Sequence, residues 1–466
     1  MVFSSTTFLF FFLPLLCALY FVLPGRKWRN GVLLGGSLLF YSWGEPKFVF
    51  LMLGATLVAW LAGLAMDRFE NKKRLFAAAA TVILIGDLLF FKYMNFFAEN
   101  VSAIFGVENR LPDIVLPVGI SFFTFQILSY VLDLCRGEVA VQKSFPRLLL
   151  YVCLFPQLIA GPIVRYQTVE QEIGRRNENL EDVFLGLGRF LLGLAKKLLI
   201  ANNVAKVCES IYAGDPETFG TAMYWVAAVA YSLQIYFDFS GYSDMAIGLG
   251  RIFGFHFLEN FDYPYLACSV TEFWRRWHIS LSSWFRDYVY IPLGGNRVGK
   301  GRWMLNILIV WGLTGFWHGA NWNFLLWGLY YGILLMIEKL ATGSLMKKLP
   351  KALSWFITMV IVATGWVLFN NTDMTVLGRA IGRMFTVVPT DWAGVVSAAD
   401  LLKSMLYLPL GFVFAIPFWR RKAFEFYSDH KLPGTLCAAA LYAILFILCD
   451  AYVLSSSFNP FIYFRF

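Results

Sequence analysis

Apolar blocks of nearly membrane-spanning length are the feature that most constrains this chain. Its 466 residues are 59% hydrophobic and only 15% charged, which is too little charge to cover a water-soluble surface. Many blocks approach the roughly 20 residues that a helix needs to cross a bilayer, whereas shorter ones should be re-entrant or buried. The sequence therefore predicts an all-α polytopic membrane protein with about 11 to 13 membrane-embedded helices.

Basic residues form short clusters between these blocks. The chain has 39 Lys and Arg against 30 Asp and Glu, a formal net charge of +9. Such an excess could suggest nucleic acid, but clusters between spans are typical of cytoplasmic loops instead. We therefore predict no nucleic-acid partner and, if every cluster is cytoplasmic, a multi-pass protein with both termini outside. The clusters are Arg26–Arg29, Lys72–Arg74, Arg136–Arg147, Arg297–Arg302, Lys347–Lys351 and Arg420–Lys422.

The remaining composition argues for one integral unit without metal. The seven cysteines stand singly, with no C-x-x-C pair, which predicts neither a disulfide framework nor a metal site. The N-terminal apolar run has basic residues after it and none before it, so we expect a retained helix rather than a secretory signal. We predict a single domain over 1–466, with a polar core at about 234–323 and an aromatic tail at 455–466.

Two carboxylates interrupt the apolar stretch that begins at Gln234. Asp238 and Asp244 should each face the protein interior or a watery cavity, because a carboxylate at the bilayer centre costs about 2.5–3.5 kcal/mol. Hydrogen bonding to bent backbone around Gly241 is favoured over direct catalysis. We therefore place Gln234, Asp238 and Asp244 beside the catalytic groups rather than among them.

The stretch T-E-F-W-R-R-W-H-I-S-L-S-S-W-F-R, residues 271–286, combines a histidine with arginines. On a continuous helix, Trp274, His278 and Ser282 would share one face. The arginines could grip the phosphates of coenzyme A or of an acyl carrier, or equally could meet lipid headgroups beside an aromatic belt. The three arginines are Arg275, Arg276 and Arg286.

A second histidine, His318, lies in the stretch G-F-W-H-G-A-N, residues 315–321. Burial disfavours imidazolium, so this ring should stay neutral and able to accept a proton, as a general base must. Gly315 and Gly319 allow close backbone approach to a substrate. Asn321 could orient the ring or donate to an oxyanion, with Trp317 adjacent. From spacing alone, a hydrogen-bonded core histidine is the favoured alternative.

Taken in order, stretches along most of the chain resemble the membrane-bound O-acyltransferase family, and specifically its alginate O-acetyltransferase branch. The family's invariant histidine falls on His318, and its second histidine on His278. The resemblance implies a ring of tilted and re-entrant helices around a central funnel, with His318 as catalytic base and His278 lining the tunnel. The stretches are residues 1–14, 116–133, 155–166, 236–250, 259–265, 273–297 and 316–328.

The resemblance also implies the reaction. It implies transfer of an acetyl or other acyl group from a cytoplasmic thioester, either acetyl-CoA or an acyl carrier protein, to a hydroxyl acceptor, with no bound cofactor. The acceptor would be an exported polysaccharide, the location the bacterial plasma membrane among its lipids, and the partner an exported or periplasmic transferase. Two alternatives stay open: a teichoic acid D-alanyltransferase, or a transporter of acetyl groups or lipid-linked sugars, which would ordinarily show internal repeats.

The last residues, S-S-S-F-N-P-F-I-Y-F-R-F, are unusually aromatic for a chain end. A small partner protein in the related D-alanylation system ends in a similar motif that is thought to receive the acyl group. We therefore hypothesise that Tyr463 acts as an acyl relay. The alternative is an aromatic anchor at the membrane interface.

Overall fold

The computed structural model describes residues 1–22, 24–108, 111–215, 217–429, 431–455 and 461–462, except for the side chains of 344, 345, 420, 424 and 428. Within these ranges every regular element is a helix. The predicted all-α class is therefore confirmed. Contacts between residues divide the chain into two compact units, and a single integral domain stays a prediction.

Unit 1 comprises Met1–Phe190 and Ser243–Glu259. A π-helical turn, Phe8–Phe12, leads into its first α-helix, and rings from this turn pack against Phe40 and Phe155. Aromatic burial of this kind supplies much of the unit's core. Its helices are α1 (Leu13–Val22), α2 (Arg26–Ser42), α3 (Val49–Arg68), α4 (Lys73–Phe105), α5 (Ile120–Arg136), α6 (Phe145–Cys153), α7 (Tyr166–Gly174) and the first part of α8 (Leu180–Ala195).

Unit 2 comprises Leu191–Tyr242 and Asn260–Phe466. Its core is built around tryptophans, of which Trp277 and Trp327 both pack on Trp366. The helices are α9 (Asn202–Ala213), α10 (Thr221–Ile252, whose end belongs to unit 1), α11 (Val270–Arg276), α12 (Ile279–Phe285), α13 (Lys300–His318), α14 (Trp322–Ile337), α15 (Gly343–Lys348), α16 (Lys351–Asn370), α17 (Met374–Phe385), α18 (Trp392–Ser397), α19 (Ala399–Met405), α20 (Tyr407–Phe414), α21 (Phe418–Asp429) and α22 (Lys431–Ser455).

Five helical segments among the described residues are long and apolar enough to cross a membrane. The polytopic prediction agrees with this finding. Helices such as α11 and α12, with seven residues each, are far below the roughly 20 residues needed to cross, so the number of embedded helices stays a prediction. The five segments are Val49–Arg68, Glu70–Phe105, Trp322–Thr342, Lys351–Asn370 and Lys431–Ser455.

A π-helical turn, Lys196–Ala201, joins α8 to α9. Helix α10 packs closely against the start of this turn, because a Cβ on Gly241 would lie 2.8 Å from the carbonyl oxygen of Gly193. A glycine is therefore required for this close approach. Helix α10 runs unbroken through Gly241.

Candidate active site

His278 lies at a break between two short helices. Helix α11 ends at Arg276, and His278 precedes α12 with φ 43° and ψ 56°, in the left-handed region. The expectation of one continuous helix with Trp274, His278 and Ser282 on a shared face was therefore wrong. The Ser282 N–H donates to the His278 carbonyl at 3.1 Å, but the residue is exposed whereas His278 is buried.

Backbone pairing with an earlier segment causes this break. The Asp262 N–H donates to the Arg276 carbonyl (2.9 Å), and the Ile279 N–H donates to the Asn260 carbonyl (3.0 Å). These bonds replace the intrahelical ones that a continuous helix would make across 276–279. A left-handed conformation is uncommon for a residue other than glycine and costs on the order of 1–3 kcal/mol, and such strain clusters at functional sites.

The His278 ring is held by Asn260. Its Nδ1 lies 3.1 Å from Asn260 Oδ1, which also accepts from the Ser280 hydroxyl (2.9 Å) and the Ser280 N–H (3.2 Å). Because this oxygen only accepts, Nδ1 carries the proton and Nε2 is the accepting nitrogen of the neutral ring. His278 lies outside the five candidate spans, and burial lowers the pKa of its imidazole. The ring is therefore neutral, and Nε2 is the nitrogen that can accept a hydrogen bond.

His318 is the last residue of α13 and is enclosed by aromatic rings. The ring centroids of Trp317, Trp327 and Phe369 each lie 5.1 Å from that of His318, at steep angles. The side chain is buried, with 5% of the residue exposed. The side-chain oxygen of Asn321 caps α14 by accepting from the Asn323 N–H at 3.4 Å, and its predicted role in orienting the ring or donating to an oxyanion stays a prediction.

The two histidines, forty residues apart in sequence, contact the same tryptophan. The Trp317 ring centroid lies 6.1 Å from His278 and 5.1 Å from His318. Phe239 of α10 completes the enclosure of His278 at 4.6 Å, and Gln234, also predicted for the site, is buried on the same helix. The structure therefore gathers His278, His318 and Trp317 into one buried site in unit 2.

Backbone contact between α13 and α14 fixes the position of His318. A Cβ on Gly315 would overlap the carbonyl oxygen of Phe324, and a Cβ on Gly328 would overlap that of Trp311. Gly315, which we expected to admit a substrate, therefore admits the neighbouring helix. Glycine is required at both positions because the helices meet backbone to backbone.

Sequence reasoning missed a donor beside His318. The indole N–H of Trp327 is buried and has no hydrogen-bond acceptor among the described residues. A buried donor without a partner is costly, by about 1–3 kcal/mol, and the indole N–H groups of Trp274 and Trp366 in the same cluster share this property. The position of Trp327 in an apolar helix gave no sign of this buried donor.

The two predicted carboxylates lie in different units. In unit 2, Asp238 accepts from Lys197 Nζ and from the Ile462 N–H (2.8 Å). In unit 1, Asp244 pairs with Arg189 at 2.9 Å. Only Asp238 thus belongs to the unit that holds the histidines. Lys197 was not predicted, because basic residues were interpreted as markers of topology.

The predicted arginines differ in their surroundings. Arg276 pairs with Glu272 at 2.8 Å, Arg286 pairs with Asp287 at 2.7 Å, and Arg275 is exposed. Carboxylates thus already neutralise two of them, and phosphate binding stays a prediction.

The proposed relay residue, Tyr463, lies outside the described residues.

The fold and the site together define a helical membrane enzyme with a buried histidine pair. Residues 134–372, which include both histidines, match the profile of MBOAT, the membrane-bound O-acyltransferase family. The chain belongs to this family and is an O-acyltransferase.

Relatives with named activities extend the comparison. The chain is 37% identical to the probable alginate O-acetylase AlgI of Azotobacter vinelandii, over 100% of both chains. It is 34% identical to the peptidoglycan O-acetyltransferase of Helicobacter pylori, over 80% of this chain and 78% of that one. It is 30% identical to the teichoic acid D-alanyltransferase of Bacillus subtilis, over 47% of this chain and 58% of that one.

Proposed function

We propose that this protein moves an acetyl group from a cytoplasmic thioester to a hydroxyl acceptor, for O-acetylation of an exported polysaccharide. The full-length similarity to a probable alginate O-acetylase supports the acetyl group and the sugar polymer. The similarity to a D-alanyltransferase covers only 47% of the chain, so D-alanylation is the weaker candidate. A transporter without bond chemistry would not require the buried histidine pair, which is the observation that carries the proposal.

His318 acts as the general base in this proposal. The acceptor hydroxyl gives its proton to the ring as its oxygen attacks the thioester carbonyl. The C–S bond then breaks, and the proton passes from His318 to the departing thiolate, so that the base is regenerated. A positioned histidine of this kind contributes about 10²–10⁴-fold in rate.

Two further groups support the chemistry. The His278 ring, whose tautomer is fixed by Asn260 and whose pKa burial lowers, supplies a second acceptor near Trp317. The Trp327 indole N–H supplies a donor for the carbonyl oxygen, where negative charge develops in the transition state. Both groups are buried, and a low-dielectric setting strengthens such contacts.

Tyr463 is the first acceptor in this scheme. Its phenol oxygen forms an aryl ester as the donor thiol leaves, and a sugar hydroxyl then takes the acyl group and restores the phenol. An exported or periplasmic transferase catalyses the second step. The burial of Phe461 and Ile462 in the unit that holds the histidines supports this role for the next residue.

The setting follows from the same proposal. The donor is acetyl-CoA or an acylated carrier protein, reached from the cytoplasm, and Arg275, Arg276 and Arg286 contact its phosphates. The enzyme lies in the bacterial plasma membrane as a multi-pass protein with both termini outside, where a polysaccharide acceptor is accessible.

Radiolabel transfer tests the proposal. Labelled acetyl-CoA is added to the purified protein in detergent, and the label is mapped by peptide for wild type, His318→Ala, Tyr463→Phe and the control His256→Ala. Label that appears on the C-terminal peptide of wild type and is lost in both His318→Ala and Tyr463→Phe supports His318 as the base and Tyr463 as the relay. Thiol release that requires His318 but leaves no label on Tyr463 rejects the relay alone, whereas thiol release that is independent of His318 rejects the catalytic assignment.

A further inference from the structure

A short segment of the C-terminal tail is buried inside unit 2. Phe461 is 1% exposed and Ile462 is 6% exposed. Their burial contrasts with the preceding helix α22, of whose most apolar window only 6% is buried in the protein. Helix α22 thus has little protein cover, whereas Phe461 and Ile462 are almost fully enclosed by protein.

Asp238 contacts the backbone of this segment. Its Oδ2 accepts from the Ile462 N–H at 2.8 Å, and its Oδ1 accepts from Lys197 Nζ. The side chains of Lys197 and Asp238 are 3% and 2% exposed. A buried ion pair is favourable only if further hydrogen bonds satisfy its remaining capacity, and here a tail amide supplies one of them.

The ring of Phe461 is held by the same cation and by a tyrosine. Lys197 Nζ lies 4.8 Å from the ring centroid, within the range of a cation–π contact. The Tyr242 ring meets it edge to face, with centroids 5.0 Å apart and an interplanar angle of 89°. This geometry recognises an aromatic side chain, whereas Asp238 recognises the backbone beside it.

Local structure presents the lysine to this site. Lys197 lies in the π-helical turn Lys196–Ala201, and α10 approaches this turn closely at Gly241. Single π-helical turns occur frequently at functional sites. An ion pair that served only to join two helices would leave the tail contacts unexplained.

We infer that Lys197, Asp238 and Tyr242 form a binding site for the chain's own Phe461–Ile462 segment, which we call the tail seat. These three are positioning residues, since they fix the segment that directly precedes Tyr463. The inference extends the proposed relay but does not depend on it, because the contacts involve residues 461 and 462 alone.

Hydrogen–deuterium exchange with residue-level fragmentation tests the tail seat in the full-length protein. The central variant is the double substitution Lys197→Met/Asp238→Leu, which removes the acceptor without leaving a buried charge unpaired. We expect the Ile462 amide to exchange at least about tenfold faster than in wild type, since it loses a hydrogen bond worth on the order of one factor of ten. Amides within α13 should be unchanged, which shows that the variant is folded.

Three further variants distinguish loss of binding at the tail seat from a general loss of stability. Phe461→Leu alters only the tail and should also accelerate exchange at Ile462, whereas Lys197→Arg keeps the cation and should preserve protection. The control Arg251→Met/Asp182→Leu removes an ion pair of unit 1 and should leave Ile462 protected. Unchanged protection at Ile462 in the folded Lys197→Met/Asp238→Leu variant would overturn the tail seat, and so would loss of protection in the unit 1 control.

The outcome is distinguishable from failure of the relay. If Tyr463→Phe removes no label, while protection of the Ile462 amide from exchange still depends on Lys197 and Asp238, the tail seat is supported and the relay is rejected. If the relay holds, acetylation of the tail should slow in Lys197→Met/Asp238→Leu and recover in Lys197→Arg. Normal labelling of the tail in a variant whose Ile462 amide is unprotected would reject the positioning role.

Discussion

The Nδ1 atom of His278 lies 3.1 Å from the side-chain oxygen of Asn260, and this contact decides which ring nitrogen can accept a proton. Ser280 donates to the same oxygen, so the acceptor is held in place from two directions. The left-handed backbone at His278 is part of the same arrangement, because it turns the ring away from the helical path of α11.

Asn260→Asp should change the pH dependence of acyl transfer. A carboxylate beside Nδ1–H favours imidazolium, so the pKa of His278 should rise from the lowered range that burial gives it. Activity that needs the neutral ring should then fall as the pH decreases, and the acidic limb of the pH–rate profile for thiol release should move to higher pH. Ser283→Ala, which removes a hydroxyl that donates to the Ser280 carbonyl at 2.9 Å, is the control and should leave the limb in place. An unshifted limb in Asn260→Asp would mean that His278 takes no part in proton transfer.

His318→Ala should reduce acyl transfer by about 10²–10⁴-fold, because the hydroxyl acceptor loses its base. Thiol release from the acyl donor, measured in detergent, is the readout. His256→Ala is the matched control: this histidine is exposed and pairs with Glu172 at 2.8 Å in unit 1, so it should behave as wild type. A nearly normal rate in His318→Ala would instead favour the transporter alternative.

Gly315→Ala should destabilise the protein and reduce its activity, whereas Gly312→Ala on the same helix should do neither. The new methyl group at 315 would overlap the Phe324 carbonyl, but the methyl group at 312 meets nothing within 4 Å. Overpacking of this kind costs about 1–3 kcal/mol. Thermal unfolding in detergent should show a lower midpoint for Gly315→Ala alone, and equal midpoints would contradict the backbone contact between α13 and α14.

Glu178 should make the stability of unit 1 dependent on acid pH. It lies in the segment between α7 and α8, outside the candidate spans. Burial by itself raises the pKa of this carboxyl, but hydrogen bonds from Arg26 and Tyr20 outweigh it and lower the pKa from 4.5 to about 2. Because the folded-state pKa is the lower one, the stabilisation is complete above the ordinary value and is lost as the pH falls from 4.5 towards 2.

The corresponding measurement compares thermal unfolding of wild type and Glu178→Gln across that acid range. The unfolding midpoint of wild type should exceed that of Glu178→Gln by less and less as the pH decreases. The control Glu181→Gln, at an exposed position nearby, should have the same pH dependence as wild type. Parallel curves for wild type and Glu178→Gln would show that the cluster around Glu178 contributes no pH-dependent stability.

The helical class could be predicted from the sequence, and the family resemblance singled out both histidines that the structure brings together, but the groups that hold His278 could not be predicted. Apolar block length is a local property, so it identifies membrane helices directly. Asn260 reaches His278 through backbone pairing of residues 260–262 with 276–279, which has no periodic signature. Residues 271–285 contain no glycine or proline, so the break was not visible, and Ser282 was preferred to Ser280.

Charged residues were harder to interpret than apolar ones. The burial of Asp238 followed from the cost of a carboxylate in the membrane, and the structure buries it. Its partner Lys197 lies in an apolar run about forty residues earlier, and sequence separation gives no sign of such a pair. Asp244 looked equivalent to Asp238 in the sequence, yet it pairs with Arg189 in the other unit.

The contact between α13 and α14 through Gly315 and Gly328 bears on how the protein tolerates sequence drift. The position of His318 along the axis of α14 is set by contacts between main-chain atoms, which every variant of the chain shares. Side chains on the outer faces of the two helices can therefore be exchanged to suit bilayers of different lipid composition without moving the imidazole. The mutational freedom of this hairpin should accordingly be wide at its outward positions and almost nil at the two glycines.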